Sequence, residues 1–301
     1  MFHHFHDRKH LETQGSLSQA DFLKMIEWLA KEYNLIGASK YLEKYENDCL
    51  ADQDICLSFD DALLSQYDIA VPVLQNFGLD AFFFVYSSPF TGSPCYLETF
   101  RYFRTNCFVD LDEFYSQFFT LVQNSFDIDL GQVQLALLSS NYLAEFPFYT
   151  ENDKCFRFIR DQMLGREKYE CVMLQLMSIK GFSSSQIIND LWMSEDHLRD
   201  IANYGHLVGL HSYSHPTQMS KLTYKEQLFQ YQANFDHLTT VVGDVVCMSH
   251  PCGDYNADTV KILDDLGIKI GFRSSLSKTH TNSRFEIPRQ DHVNIHKAVF
   301  Q

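Results

Sequence analysis

Ile55-Cys56-Leu57-Ser58-Phe59-Asp60-Asp61-Ala62 is the stretch on which the fold turns. Its first five residues are a short run, mostly apolar, without helical spacing, as in a strand buried on both faces. Two carboxylates stand at its C-terminal tip. A helix should follow from about Leu64 to Phe77, closed by Gly78, a residue that readily takes the left-handed conformation that ends helices. Ala81-Phe82-Phe83-Phe84-Val85-Tyr86 then reads as a second buried strand. Strand, helix, strand at this spacing predicts a βαβ unit with a parallel sheet, and so an α/β fold.

The same alternation returns in the second half of the chain. Strands are expected over 207–210, 245–248 and 268–272, with helices over 224–241 and 257–266. Ser194-Glu195-Asp196 caps another helix that stops near Tyr204-Gly205, and Ser18-Gln19-Ala20-Asp21 opens one near the N-terminus. Phe22, Met25, Ile26, Leu29, Ala30 and Tyr33 supply the buried face of that helix.

From about 87 to 193 the pattern changes. Phe, Tyr, Leu and acidic residues recur at helical spacing, and helices are predicted over 109–126 and 155–178. Pro89, Gly92, Ser93 and Pro94 mark where this segment begins, and no flexible linker flanks it. The expectation is a single domain over 1–301 with a mostly helical insertion at about 90–193. The Phe-rich insertion reads either as a subdomain core or as a lid or partner surface, the latter leaving a homo-oligomer through it open.

Composition narrows the function. The 301 residues carry 24 Lys and Arg against 39 Asp and Glu, a formal net charge of −15. Such a chain repels phosphate backbones and anionic membrane surfaces, which argues against a nucleic-acid partner. No window has the roughly 18–20 apolar residues of a membrane span, and Met1-Phe2-His3-His4-Phe5-His6-Asp7 is not built like a signal peptide. The 8 cysteines include no CxxC pair and are expected to be reduced thiols in a cytoplasmic protein. The 13 His invite a search for metal ligands.

Three segments fall at predicted strand tips, the edge at which parallel sheets bind ligands. Ser58-Phe59-Asp60-Asp61-Ala62 places two repelling carboxylates side by side. That is tolerable when a cation takes one of them, or in a solvated turn. In His211-Ser212-Tyr213-Ser214-His215-Pro216 two imidazoles four residues apart can reach one borderline divalent ion, although two hydrogen-bonded loop histidines would look the same. In Ser249-His250-Pro251-Cys252-Gly253-Asp254-Tyr255-Asn256, Pro and Gly force a tight turn that can aim a backbone N–H inward, or simply join strand to helix.

In this order and context the three segments resemble the motifs of the polysaccharide deacetylase family. The family's first motif is Thr/Ser-Phe-Asp-Asp-Gly, matched by Ser58–Ala62 except for Ala62. Its second is His-Ser/Thr-x-x-His, matched by His211–His215. Its third often reads Tyr-Pro-Tyr-Gly-Asp-Tyr-Asn, kept here as a frame with His250 and Cys252 in place of two tyrosines. The resemblance covers about 50–90 and 195–290. It implies a distorted (β/α) barrel and a metal-dependent hydrolase. Asp60 would be the general base, and Asp61, His211 and His215 would hold a divalent metal, zinc before other transition metals. The Cys252 backbone N–H would steady the oxyanion, and His250 and His6 would lie with the substrate.

The family's C-terminal Leu-x-His acid is missing. A circularly permuted branch carries that histidine near the N-terminus in a Met-Tyr-His-like segment, which Met1-Phe2-His3 resembles. His3 is therefore the expected acid, with His6 and His4 as alternatives. The family's usual third-motif arginine is also absent, and Arg289 in Ile287-Pro288-Arg289 is expected to replace it beside the base, unless it makes a surface pair with Asp291. The implied activity is removal of an N-acyl group, acetyl first, from a sugar or sugar-nucleotide in surface-glycan biosynthesis. The alternatives are a deformylase or amidase on a non-sugar C–N bond, and a silent carbohydrate-binding or scaffold protein of the same fold.

Overall fold

The structure is a computed structural model that describes residues 1–93, 96–140, 142–143, 149–276 and 283–301. Pro94 of the expected insertion boundary and Cys95 lie outside the described residues. The chain forms two compact units, Met1–Cys95 with Ile188–Gln301, and Tyr96–Ile187. These limits fall a few residues inside the predicted 90–193.

In the first unit β1 (Phe5–His6) pairs in parallel with β2 (Leu17–Ser18), and β3 (Asn34–Leu35) with β4 (Asp54–Ile55). The main sheet holds β5 (Ser58–Asp60), β6 (Phe82–Val85), β7 (Leu207–Leu210), β8 (Cys247–Ser249) and β9 (Ile270–Phe272), all parallel and in sequential order. The strand predicted over 55–59 is thus two strands. Its backbone changes partner in the middle: the Ile55 carbonyl accepts from Ile36 N–H, and the Leu57 carbonyl from Phe82 N–H. The helix expected from Leu64 starts there, passes through a π-helical stretch, Gln66–Ala70, and continues as Val71–Phe77, and Gly78 closes it at φ 62°.

Backbone hydrogen bonds carry the sheet round beyond both edges. Ile287 bridges Phe272 in parallel outside β9, and Phe2 bridges Phe59 in parallel outside β5. The two added segments meet, because His292 N–H donates to the Met1 carbonyl at 3.1 Å. This closure, as in a distorted barrel, brings His3 and Arg289 to the tip of β5.

Alternation along β6 divides the core. Phe83 and Val85 join Phe2, Phe22, Phe59 and Leu210 in the larger apolar cluster, and Phe82 and Phe84 join Cys247, Ile270 and Phe272 in the smaller. Phe59 and Phe83 stack with centroids 4.7 Å apart. Gly209 has no alternative at its place in β7, since a Cβ there would lie 2.6 Å from the Cys247 carbonyl oxygen and 2.8 Å from the Phe84 ring.

Beneath β6, His206 is 4% exposed, and its Nδ1 accepts Ala81 N–H at 3.0 Å. Burial pushes its pKa down to about 4, against a smaller upward pull from Asp80. The folded value lies below the ordinary one, so the unfolded chain binds more protons between the two. The stability tied to His206 is therefore present above about pH 6.5 and is lost as pH falls towards about 4, by at most about 1.4 kcal/mol per pH unit. His206→Asn keeps an acceptor for Ala81 but cannot titrate. Its urea midpoint is expected to fall less than the parent's over this window, and parallel acid profiles would refute the assignment.

The second unit's main elements among its described residues are helices: Tyr96–Asn106, Leu111–Phe126, Leu130–Leu138, Glu151–Phe158 and Gly165–Ile179. The single helix expected over 155–178 is broken. A π-helical stretch, Ile159–Leu164, runs into Gly165, whose φ of 67° no helix accommodates. Phe103, Phe114, Phe118, Phe156 and Met173 fill this unit's own core, each fully buried. Its aromatic excess is packing, within the unit.

No helix among the described residues is long and apolar enough to cross a membrane.

Candidate active site

The tip of β5 separates two neighbouring carboxylates. Asp60 ends the strand, 2% exposed, in register with Phe84. Asp61 turns left-handed at φ 81° while its N–H still reaches the Phe84 carbonyl at 3.0 Å. Ala62, where the motif has glycine, is also left-handed at φ 53°. Ser212 (66°), His215 (51°) and Cys252 (53°) complete a set of strained non-glycine residues in the three predicted segments. Strain of this kind costs of order 1–3 kcal/mol per residue and collects where function demands a geometry.

Asp60 meets Arg289 face to face, Oδ1 to Nη1 and Oδ2 to Nη2, both at 2.7 Å. The guanidinium also donates to Ser58 Oγ at 3.1 Å, to Ser249 Oγ at 2.6 Å and, through Nε, to the Arg273 carbonyl at 2.8 Å. Its carbon lies 5.4 Å over the Phe84 ring. Both partners are buried, so this is not the surface pair with Asp291 that the sequence left open. Burial alone would raise the Asp60 carboxyl. The charge and hydrogen bonds of Arg289 outweigh it and hold the group well below the usual carboxylate range.

Asp61 faces the other way chemically. Its Oδ1 lies 3.6 Å from His211 Nε2 and 3.5 Å from His215 Nε2. The two imidazoles are 4.8 Å apart in an edge-to-face arrangement, and Ser212 Oγ accepts His215 N–H to tighten the turn. His211 Nδ1 is 2.8 Å from the Ser249 carbonyl, which can only accept, so the proton sits on Nδ1 and the Nε2 lone pair points to the cluster. Burial pushes His211 down to about 3, so it is neutral at pH 7. A carboxylate 3.5–3.6 Å from each of two imidazole Nε2 atoms, all three residues buried, suits a tetrahedral transition metal. The residues therefore fit a divalent ion.

His3 follows Phe2 on the added segment, and its Nε2 lies 3.7 Å from Asp60 Oδ2. Burial pushes its pKa down to about 3, opposed by Asp60. His4 stacks on it at 6.1 Å. His6 is engaged elsewhere, its Nδ1 bonded to Ser16 Oγ at 2.8 Å. His250 departs from expectation more plainly. It is 0% exposed, its Nε2 bonds the Phe285 carbonyl, and its ring lies on Tyr255 at 4.2 Å. It supports the third segment from below and offers no face to a ligand. Cys252, whose side chain is exposed, sits above it in the turn Pro251–Gly253.

Three contributors escaped the sequence. Asn234 accepts His211 N–H at 3.0 Å and donates to the Val85 carbonyl and Ser87 Oγ. Gln66 donates from one nitrogen to the carbonyls of His3 and Asp60, tying the two segments together. Ser249 serves His211 through its carbonyl and Arg289 through its hydroxyl. A signal existed for Asn234: it shares the buried stripe of its helix with Tyr231 and Leu238, where a polar residue needs a reason.

Residues 172–271 match the family model for polysaccharide deacetylase. Among solved structures the chain is similar to IcaB from Ammonifex degensii, at 14% identity and a TM-score of 0.55, over 99% of this chain and 92% of that one. It is similar to the Streptococcus pyogenes deacetylase PplD in complex with acetate, at 13% and 0.54, over 96% and 88%. It is also similar to a de-N-acetylase from Aggregatibacter actinomycetemcomitans, at 12% and 0.54, over 96% and 91%. At such identities the likeness is one of fold. No curated protein matches the sequence.

Proposed function

We propose, from the match of residues 172–271 to the polysaccharide deacetylase family model and from the geometry of the site, that the protein removes the N-acetyl group from an amino-sugar residue of a glycan or glycan precursor, in a metal-dependent hydrolysis. The carrying observation is the division of labour between adjacent carboxylates, Asp60 on Arg289 and Asp61 on two imidazoles.

Asp61, His211 and His215 would hold the ion, which would supply a Lewis acid beside the acyl group and the attacking water. Asp60, ionised and fixed by Arg289, accepts the proton of that water. The Cys252 backbone N–H, held in a left-handed turn, donates to the oxygen that becomes negative. His3 is neutral in the resting protein, so its proton is supplied during turnover. At 3.7 Å from Asp60 Oδ2 it is near enough to receive the proton that Asp60 has taken and to pass it to the departing nitrogen. An acid and a free amine leave. The acetate bound to PplD is of the product class this reaction releases.

Acetate release from N-acetylglucosamine oligomers is expected to vanish on chelation and to return with zinc or cobalt. Undiminished release after chelation overturns the metal dependence. Turnover of formamides or non-sugar amides in preference moves the assignment to that chemistry. Full metal loading with no turnover of any acyl donor leaves a silent binding protein.

A further inference from the structure

Next to His3, the closure of the barrel assembles a second set of ligands. His292 opens the last helix, His292–Phe300, and Asp291 caps it by accepting Val293 N–H at 2.9 Å. His292 Nε2 is 2.8 Å from the Gly15 carbonyl. A carbonyl only accepts, so the Nε2 carries the proton and Nδ1 of the neutral ring is a bare lone pair. That nitrogen is buried, with no hydrogen bond to satisfy it. It points at Asp291 Oδ1, 3.4 Å away. An acceptor thus faces an acceptor, and burial disfavours the proton that would reconcile them. A cation between them would.

A ring nitrogen of His3 completes the group, all three ligand atoms lying within 4.8 Å of one another. Zinc bonds of about 2.0–2.1 Å in a tetrahedron separate ligand atoms by about 3.3–3.4 Å, and the His292–Asp291 pair already stands at that edge length. The His292 tautomer repeats that of His211, with one nitrogen pinned to a carbonyl and the other turned to a carboxylate. The side chains of His3 and Asp291 are 23% and 35% exposed, so the set can be reached from solvent and is less enclosed than Asp61, His211 and His215.

We propose that His3, Asp291 and His292 form a second, weaker site for a zinc-like divalent ion, and that filling it withdraws His3 from proton transfer. An imidazole with one nitrogen on a metal cannot become an imidazolium, so the acid is lost while the ion stays. The first half stands on geometry alone; the second rests on the role of His3 proposed above. The consequence is an enzyme that needs one equivalent of metal and is inhibited by more.

The test uses the whole chain, stripped by a chelator, dialysed and titrated with zinc chloride. Equilibrium dialysis should show two equivalents bound by the parent, one tight and one weak. Asp291→Asn keeps the helix cap, since asparagine caps as well as aspartate, and should weaken the second equivalent about tenfold or more. His292→Gln should do the same, which separates loss of a ligand from a local folding defect. Zinc beyond the first equivalent should inhibit acetate release by the parent and not by these variants. A parent that binds a single equivalent, or variants that bind two like the parent, overturns the site. Lost binding with inhibition intact overturns the link to His3. The binding counts decide the site even where no deacetylation is found, so its failure is distinct from failure of the proposed function.

Discussion

Asp60→Asn is expected to lower acetate release by about 10²- to 10⁴-fold, the usual worth of a positioned general base, while leaving the bound metal in place. Asparagine matches aspartate in shape but cannot accept a proton from water. The ion is held by Asp61, His211 and His215, and Asp60 Oδ2 stands 4.0 Å from His211 Nε2, outside bonding contact. Metal content per chain should therefore equal the parent's. Those paired readings separate a base from a ligand: a ligand would lose both. Full activity in Asp60→Asn would remove Asp60 from the chemistry. A fall in metal content matching the fall in rate would move it into the ligand set.

The reasons that Asp60 and Asp61 were readable, and other parts were not, are physical. Strand tips were legible because five-residue apolar runs ending in Asp-Asp or His have few other uses in a parallel sheet. Arg289 was legible through the family resemblance, which asks for an arginine beside the base, and through the expectation that its segment ends a late strand; the bridge of Ile287 to Phe272 is what aims it inward. The placement of His3 rests on the bridge between Phe2 and Phe59 and on the Gln66 amide, and a strand so short has no period to detect. His250 was expected with the substrate because exposure cannot be inferred for one residue of a tight turn; the Phe285 carbonyl that holds it comes from a distant segment, while Tyr255 stacks on it from the same one. The broken helix at Gly165 was legible in principle, as glycine is the residue for a positive φ, but the apolar period runs through it and hides the break. What escaped at Arg289, His3 and the Phe285 contact of His250 was pairing between distant segments.

Arg289→Met is expected to destabilise the protein by about 3–5 kcal/mol, the cost of leaving one charge of a buried pair alone. Methionine fills much of the arginine stem's volume, so the loss is electrostatic more than steric. Asp60 would keep Ser249 Oγ at 3.5 Å, a marginal hydrogen bond, and His3 Nε2 at 3.7 Å. Burial would then be opposed only by the nearby His211 and His3, and the carboxyl would move towards its protonated form, which weakens the base. Arg289→Lys should restore little, because an ammonium cannot span both carboxylate oxygens, Ser58, Ser249 and the Arg273 carbonyl from one plane. The discriminating comparison is the double variant Asp60→Asn with Arg289→Met. It has no unpaired charge, so its urea midpoint should lie above that expected from adding the two single losses, by a coupling of about 0.5–3 kcal/mol. Strict additivity would mean that the two side chains are stabilised independently. Recovery of folding without recovery of activity would separate the two tasks of the pair: Arg289 makes a buried carboxylate bearable, and Asp60 puts that carboxylate to use.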